Sequence, residues 1–191
     1  MINRLSRICL IFPAFLLAAT PLLAQDKPRV SPHETVRATI DGNEITVVYG
    51  RPFSKDPKSG EVRKVWGTLV PYGKTWRMGA DEATLLTTKQ PIQIGGTLVP
   101  AGTYSLFMSP EESGAAKLIV NKQTGQWGTK YDQSQDLGRI DLKKDATASP
   151  VDQFTIEIEK NQGSGGILMM MWENTQYSAP ITVKKIGRAH V

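Results

Sequence analysis

The chain has 191 residues, with 23 lysines and arginines against 18 aspartates and glutamates, a formal net charge of +5, one cysteine and two histidines. That length suits one domain with a sizeable core. The basic residues form no dense block, so no nucleic-acid partner is expected, and a lone cysteine with two histidines leaves no room for Cys-based or His-rich metal sites.

The start of the chain points to export. Residues 1–7 carry Arg4 and Arg7 and no acid, and residues 8–23 are uncharged and apolar apart from Cys9, Thr20 and two prolines. Ala24 then precedes the polar run Gln25-Asp26-Lys27-Pro28-Arg29. A basic start, an apolar run and a small residue make a secretory signal, expected here over 1–24. The apolar run is too short and too broken by proline to span a membrane, which takes about 20 residues. The expected address is therefore periplasmic or extracellular, with no membrane span after cleavage. Cys9 leaves with the signal, so the mature chain has no thiol and no disulfide. Without Arg4 and Arg7, 21 basic residues face 18 acidic ones, a net +3.

Residues 25–34 read as an N-terminal segment, and residues 35–185 as a single β domain. Strands are expected at 35–40 and 44–49, because Asp41-Gly42 between two β-rich runs is a hairpin signal. Residues 91–94 and 97–99 repeat the logic around Gly95-Gly96. Further strands are expected at 103–108 and 116–121. Residues 122–138 are irregular and polar, with Trp127 and Tyr131 embedded. In the last third, Phe154, Ile156 and Ile158 alternate with Thr155, Glu157 and Glu159. Tyr177, Ala179, Ile181 and Val183 alternate in the same way, which is the period of a half-buried strand. The run 167–172 is apolar on both faces and reads as a central strand covered on each side, a short buried helix being the alternative. About ten short strands with Gly, Pro and Asn punctuation and no helix period predict an all-β sandwich or jelly-roll-like domain. Residues 186–191, Ile-Gly-Arg-Ala-His-Val, do not continue the last strand and match the translation of a common sequencing adapter. A non-native tail is expected there.

The densest chemistry lies in 49–84. Arg51 follows Tyr49-Gly50, and Trp66, Tyr72, Trp76, Arg77, Asp81 and Glu82 come among glycines and prolines. Such loops are shaped by backbone demands and present side chains at fixed angles. Two readings are open. In the first, Trp66, Tyr72 and Trp76 are platforms for a sugar or other ring, and Arg51, Arg77, Asp81 and Glu82 supply directional hydrogen bonds. In the second, the aromatics are core and Arg77 pairs with Asp81 or Glu82 to pin a loop.

Residues 49–52, 66–84 and 101–107 resemble a family of exported bacterial proteins, domain of unknown function 2911. The resemblance continues through Asn121, Trp127-Gly128, Tyr131, Asp136, Arg139 and Trp172. That family usually has Asn where this chain has Asp81. The resemblance implies a secreted β domain and no particular reaction.

Catalytic signatures are sparse. His33 in Ser31-Pro32-His33-Glu34 reads as an exposed terminal residue, and His190 falls in the suspect tail. No Gly-x-Ser-x-Gly and no phosphate-cradling loop occurs. Asp81/Glu82, Asp132/Asp136 and Glu173 are the acids available for a carboxylate pair. No metal and no cofactor is expected. The leading expectation is a binding or interaction domain of the envelope for a small molecule or glycan. A carboxylate-based glycan hydrolase and a structural envelope protein are the alternatives.

Overall fold

The computed structural model describes residues 29–184, so the expected signal and the expected tail lie outside the described residues. The chain forms β1 (His33–Ile40), β2 (Asn43–Gly50), β3 (Ala80–Thr88), β4 (Ile92–Ile94), β5 (Thr97–Val99) and β6 (Gly102–Pro110). β7 (Ala116–Asn121), a 3₁₀ turn at Gln133–Gln135, β8 (Asp136–Asp141), β9 (Lys143–Lys160) and β10 (Gly166–Val183) follow. Two antiparallel sheets result, ordered β1-β2-β3-β6-β7-β8 and β5-β4-β10-β9. This is the all-β, ten-stranded sandwich that the period-two pattern implies. No helix among the described residues is long and apolar enough to cross a membrane.

Both hairpin signals act as expected. Asp41 and Gly42 take φ of 48° and 82°, and Gly95 and Gly96 take 54° and 87°. Positive φ at both turn positions matches the twist of the flanking strands. Parts of the chain differ from the sequence reading, among them β8, whose start lies in the stretch read as irregular. β3 starts at Ala80, inside the stretch read as loop. β9 begins at Lys143, well before the clean alternation, because its first half stays largely exposed and carries Pro150. The two apolar runs near the C-terminus are one strand, β10, bent by register shifts on either side of Glu173. Glu173 sits at φ 53°, so the chain kinks there without leaving the sheet.

The core fills the gap between the sheets. Ile45, Val47, Leu86, Leu106, Leu118 and Val120 come from one sheet, and Phe154, Ile156, Leu168, Met170, Trp172 and Ile181 from the other. On the outer face of the larger sheet, Ala83, Phe107 and Ile119 pack beneath Tyr131. The irregular stretch after β7 is thus the cover of that face.

Candidate functional site

The site is built on an excursion of the backbone ahead of β3. Trp76 pairs with Met108 of β6 through both backbone hydrogen bonds, at 2.7 and 2.8 Å. Thr84 rejoins β6 opposite Leu106. Between them the chain loops out with Met78 at φ 50°, Gly79 at 157° and Asp81 at 64°. Thr84 Oγ1 donates to the Met78 carbonyl at 2.6 Å and holds the loop closed. Gly79 presses on β2, where an added Cβ would lie 2.7 Å from the Gly50 carbonyl oxygen. Non-glycine residues in the left-handed region cost of order 1–3 kcal/mol each and persist where the surroundings over-determine them.

Of the two tryptophans of the expected platform, Trp76 is a core ring and Trp66 is partly buried against the core. Trp76 is 8% exposed. It stacks on Trp172 at 5.8 Å with 20° between planes, and meets Phe154 edge-on at 5.0 Å. Trp66 stands edge-on to Trp76 at 6.5 Å and to Tyr177 at 5.5 Å. Phe154 of β9 and Trp172 of β10 cover Trp76, and Trp76 and Tyr177 of β10 pack against Trp66, so the packing agrees with the reading of these aromatics as core rather than as platforms. Tyr72 is exposed, but it lies over Gly67 rather than beside Arg77. Arg51 is a clamp: its Nη1 pairs with Glu34 at 2.6 Å, its Nε donates to the Phe154 carbonyl at 3.1 Å, and its Nη2 donates to Thr155 Oγ1 at 2.7 Å. It ties β1 and β2 to β9, and does not face the other arginines.

Arg77 is different. It lines a cleft of about 390 Å³ whose floor is the edge of Trp76 and Trp172, with Arg63, Lys58, Asp56 and Asp81 also on its walls. Among the described residues Arg77 makes no ion pair, and its Nε is buried without a hydrogen-bond partner. Arg63 donates one Nη2 hydrogen bond to the Phe53 carbonyl, and its Nε is likewise buried and unpartnered. Asp56 is already engaged by the backbone N–H groups of Ser59 and Lys58, which hold its carboxyl below the ordinary range. The stem of Arg77 crosses the backbone of Gly128, where an added Cβ would fall 2.0 Å from Arg77 Cδ. Only glycine fits there, so the Trp127-Gly128 turn fixes the direction of the guanidinium.

Asp81 and Glu82 pair with neither Arg77 nor Arg51. They meet His33 and Arg29 instead. His33 Nε2 lies 3.5 Å from Asp81 Oδ2 and 3.4 Å from Glu82 Oε2. Arg29 binds both oxygens of Glu82, at 2.5 and 2.9 Å, and its Nη1 is 3.0 Å from His33 Nε2. The Arg29 guanidinium holds the Glu82 carboxyl below the usual carboxylate range. Asp81 lines both the main cleft and a recess shared by Arg29, Val30, Ser31 and Trp127.

The remaining acids are committed elsewhere. Asp136 accepts from Tyr131, Arg139 and Asn121, and Asp132 caps the 3₁₀ turn through Ser134. Burial above all pushes the Tyr131 phenol up to about 12. Glu173 sits at the β10 kink, where burial raises its carboxyl. Neither Asp132/Asp136 nor Glu173 faces the Arg77 cleft.

Sequence reasoning missed Arg29, His33 and Arg63. His33 reaches Asp81 and Glu82 across the intervening β2, a fact of topology. Arg63 sits among Lys55, Lys58 and Lys64 in a polar loop that carries no motif. A family model described as protein of unknown function (DUF2911) matches residues 31–181. Comparisons with curated proteins and with solved structures return no match. The match covers both sheets, the cleft and its arginines, and on that extent the chain belongs to the DUF2911 family.

Proposed function

We propose that this protein is an exported binding domain of the bacterial envelope that takes up a small anionic molecule, an acidic sugar by class, in the Arg77 cleft. The observation that carries this reading is the unmet demand of two arginines on one wall. Buried polar groups in proteins are nearly always partnered, by protein, water or ligand, and two such exceptions on one cleft wall support a ligand there. Arg77 and Arg63 both leave a buried Nε without an acceptor. A carboxylate matches the planar donor fork of a guanidinium. The volume of about 390 Å³ falls in the range of small-molecule sites. The tryptophan edges and Leu69 supply an apolar floor beneath a ring.

The test is calorimetric titration with galacturonate and glucuronate oligomers, with galactose oligomers as the neutral control. Binding of the acidic oligomers alone is expected. Arg77→Met should weaken it by about 10–100-fold, since a hydrogen bond to a charged group contributes about 1.5–3 kcal/mol. Retention of full affinity in a folded Arg77→Met variant would overturn the reading. Turnover of an oligomer by the wild type, lost in Glu82→Gln, would support the hydrolase alternative instead. Absence of both binding and turnover would favour a structural envelope role.

A further inference from the structure

The cluster beside the cleft shares Asp81 with it but forms a different site, argued on its own geometry. We propose that His33, Asp81 and Glu82 form a binding site for one divalent transition-metal ion, with zinc the best match.

Three observations carry this. The first is distance. Ligand bonds of about 2.0–2.2 Å at a tetrahedral zinc put neighbouring ligand atoms about 3.4 Å apart. His33 Nε2 lies 3.4 Å from Glu82 Oε2 and 3.5 Å from Asp81 Oδ2, and all three ligand atoms fall within 4.8 Å of one another. An octahedral magnesium, with bonds of about 2.0–2.1 Å, would need neighbours nearer 3.0 Å. An imidazole among the ligands favours zinc over magnesium or calcium, which take oxygen donors.

The second is how the backbone assembles the trio. His33 stands opposite Gly50, and Gly50 opposite Ala80, so one row crosses β1, β2 and β3. β1 and β3 are not neighbours, and a side chain at position 50 would stand between them. A Cβ there would come within 3.1 Å of His33 Nε2. The missing side chain is the window through which the imidazole reaches the acids. In a regular strand, consecutive side chains point to opposite faces. Asp81 at φ 64° breaks that alternation, and the two consecutive carboxylates both reach the same imidazole nitrogen.

The third is the cation already in place. Arg29 Nη1 lies 2.5 Å from Glu82 Oε2, 3.0 Å from His33 Nε2 and 3.9 Å from Asp81 Oδ2. A guanidinium nitrogen thus sits against the same three ligand atoms that would surround a metal. Arg29 belongs to the segment ahead of β1, outside both sheets. Metal and Arg29 compete for one position, and the incoming ion displaces the side chain. Three protein ligands leave a fourth position for water or a small anion, the arrangement of open rather than closed zinc sites.

The test uses protein expressed from its complete coding sequence, purified without a histidine tag and stripped with a chelator. Titration with zinc should show one ion per chain. Cobalt should give the visible ligand-field bands of a tetrahedral or five-coordinate site. His33→Ala and Glu82→Gln should each weaken zinc binding by more than the about 10–100-fold that loss of an outer-shell partner costs. Asp81→Asn keeps an oxygen ligand and should lose less. Arg29→Gln should tighten zinc binding several-fold, because the competing cation is gone. Absence of stoichiometric zinc binding in the wild type overturns the site, and so does zinc binding that survives unchanged in Glu82→Gln. Calcium bound in preference to zinc overturns the assignment of the metal. Sugar binding by the cleft is measured separately, on metal-free protein, so the two readings fail independently.

Discussion

Two polar clusters, one beside β8 and one ahead of β3, contain the same residue types and behave in opposite ways. Beside β8, Arg139 binds Asp136 at 2.9 and 3.1 Å and the Tyr131 hydroxyl at 2.7 Å, while Asn121 closes the other side of the carboxylate at 2.9 Å. Arg139 Nε and Nη2, the Tyr131 hydroxyl and the Asn121 amide all have acceptors there. Ahead of β3, the cleft arginines Arg77 and Arg63 each bury an Nε–H that finds no acceptor in the protein. A saturated network pins a loop onto a sheet, and an unsaturated one waits for a partner. Charge alone would not separate the two clusters; the count of satisfied donors does.

The largest effect should come from the aromatic core beneath the cleft. Trp172 is 2% exposed, stacks on Trp76 and donates through Nε1 to the Asp152 carbonyl at 3.2 Å. Trp172→Ala should cost about 3–5 kcal/mol. Urea denaturation reads this directly. A loss below about 1 kcal/mol would mean that the rings are not core and would favour the platform reading.

Next comes the closed network. Asp136→Ala strips the acceptor from Tyr131, Arg139 and Asn121 at once. It should cost about 1–3 kcal/mol, the penalty of a partly buried donor left unmet. Arg77→Met should instead leave stability within about 0.5 kcal/mol of wild type, or raise it, while weakening anion binding by the same about 10–100-fold. If the two substitutions cost the same, the contrast between the clusters fails.

Much of the fold is legible in the residues. Asp41-Gly42 and Gly95-Gly96 specify their hairpins because both turn positions need positive φ. The alternation at 154–158 reports a face covered by the other sheet. What the residues conceal is backbone that departs from local rules. Asp81 and Glu173 take left-handed φ, so a strand start looked like loop and one long strand looked like two. The candidate site divides in the same way. Arg77, Asp81 and Glu82 stand out as polar residues in a Gly-rich run. His33 does not, because its partners come from across an intervening strand. Trp76 is open to two readings in the sequence, because Phe154 and Trp172, which bury it, lie far along the chain.

Alkaline pH probes the buried side of the contrast. Tyr49 is 1% exposed, and burial, the largest cause, pushes its phenol up to about 12. An unfolded tyrosine titrates near 10. The folded state therefore keeps a proton that the unfolded state gives up. Stability is full below pH 10 and falls as pH rises from 10 to 12, by on the order of 1 kcal/mol per pH unit. Urea midpoints at pH 8, 10 and 11.5 should show the decline, and Tyr49→Phe should make it shallower, leaving the share of Tyr131. The variant itself starts lower, because the Ile156 N–H loses its acceptor at 2.9 Å.

The smallest effect belongs to Glu173, an acid held by neither cluster. Burial raises its carboxyl, so the folded state prefers the protonated form. The sign follows: whatever stability protonation contributes is present at acidic pH and is lost as pH rises through the folded-state value. Glu173→Gln removes the charge and keeps the shape. It should be slightly more stable than wild type at pH 7, within about 0.5 kcal/mol, and indistinguishable from it below the ordinary glutamate range. The left-handed φ of 53° is the same in both, so backbone strain cancels from the comparison. A Gln variant less stable than wild type at pH 7 would show that the carboxylate has a partner there. Glu173 would then belong with Asp136 among the saturated acids.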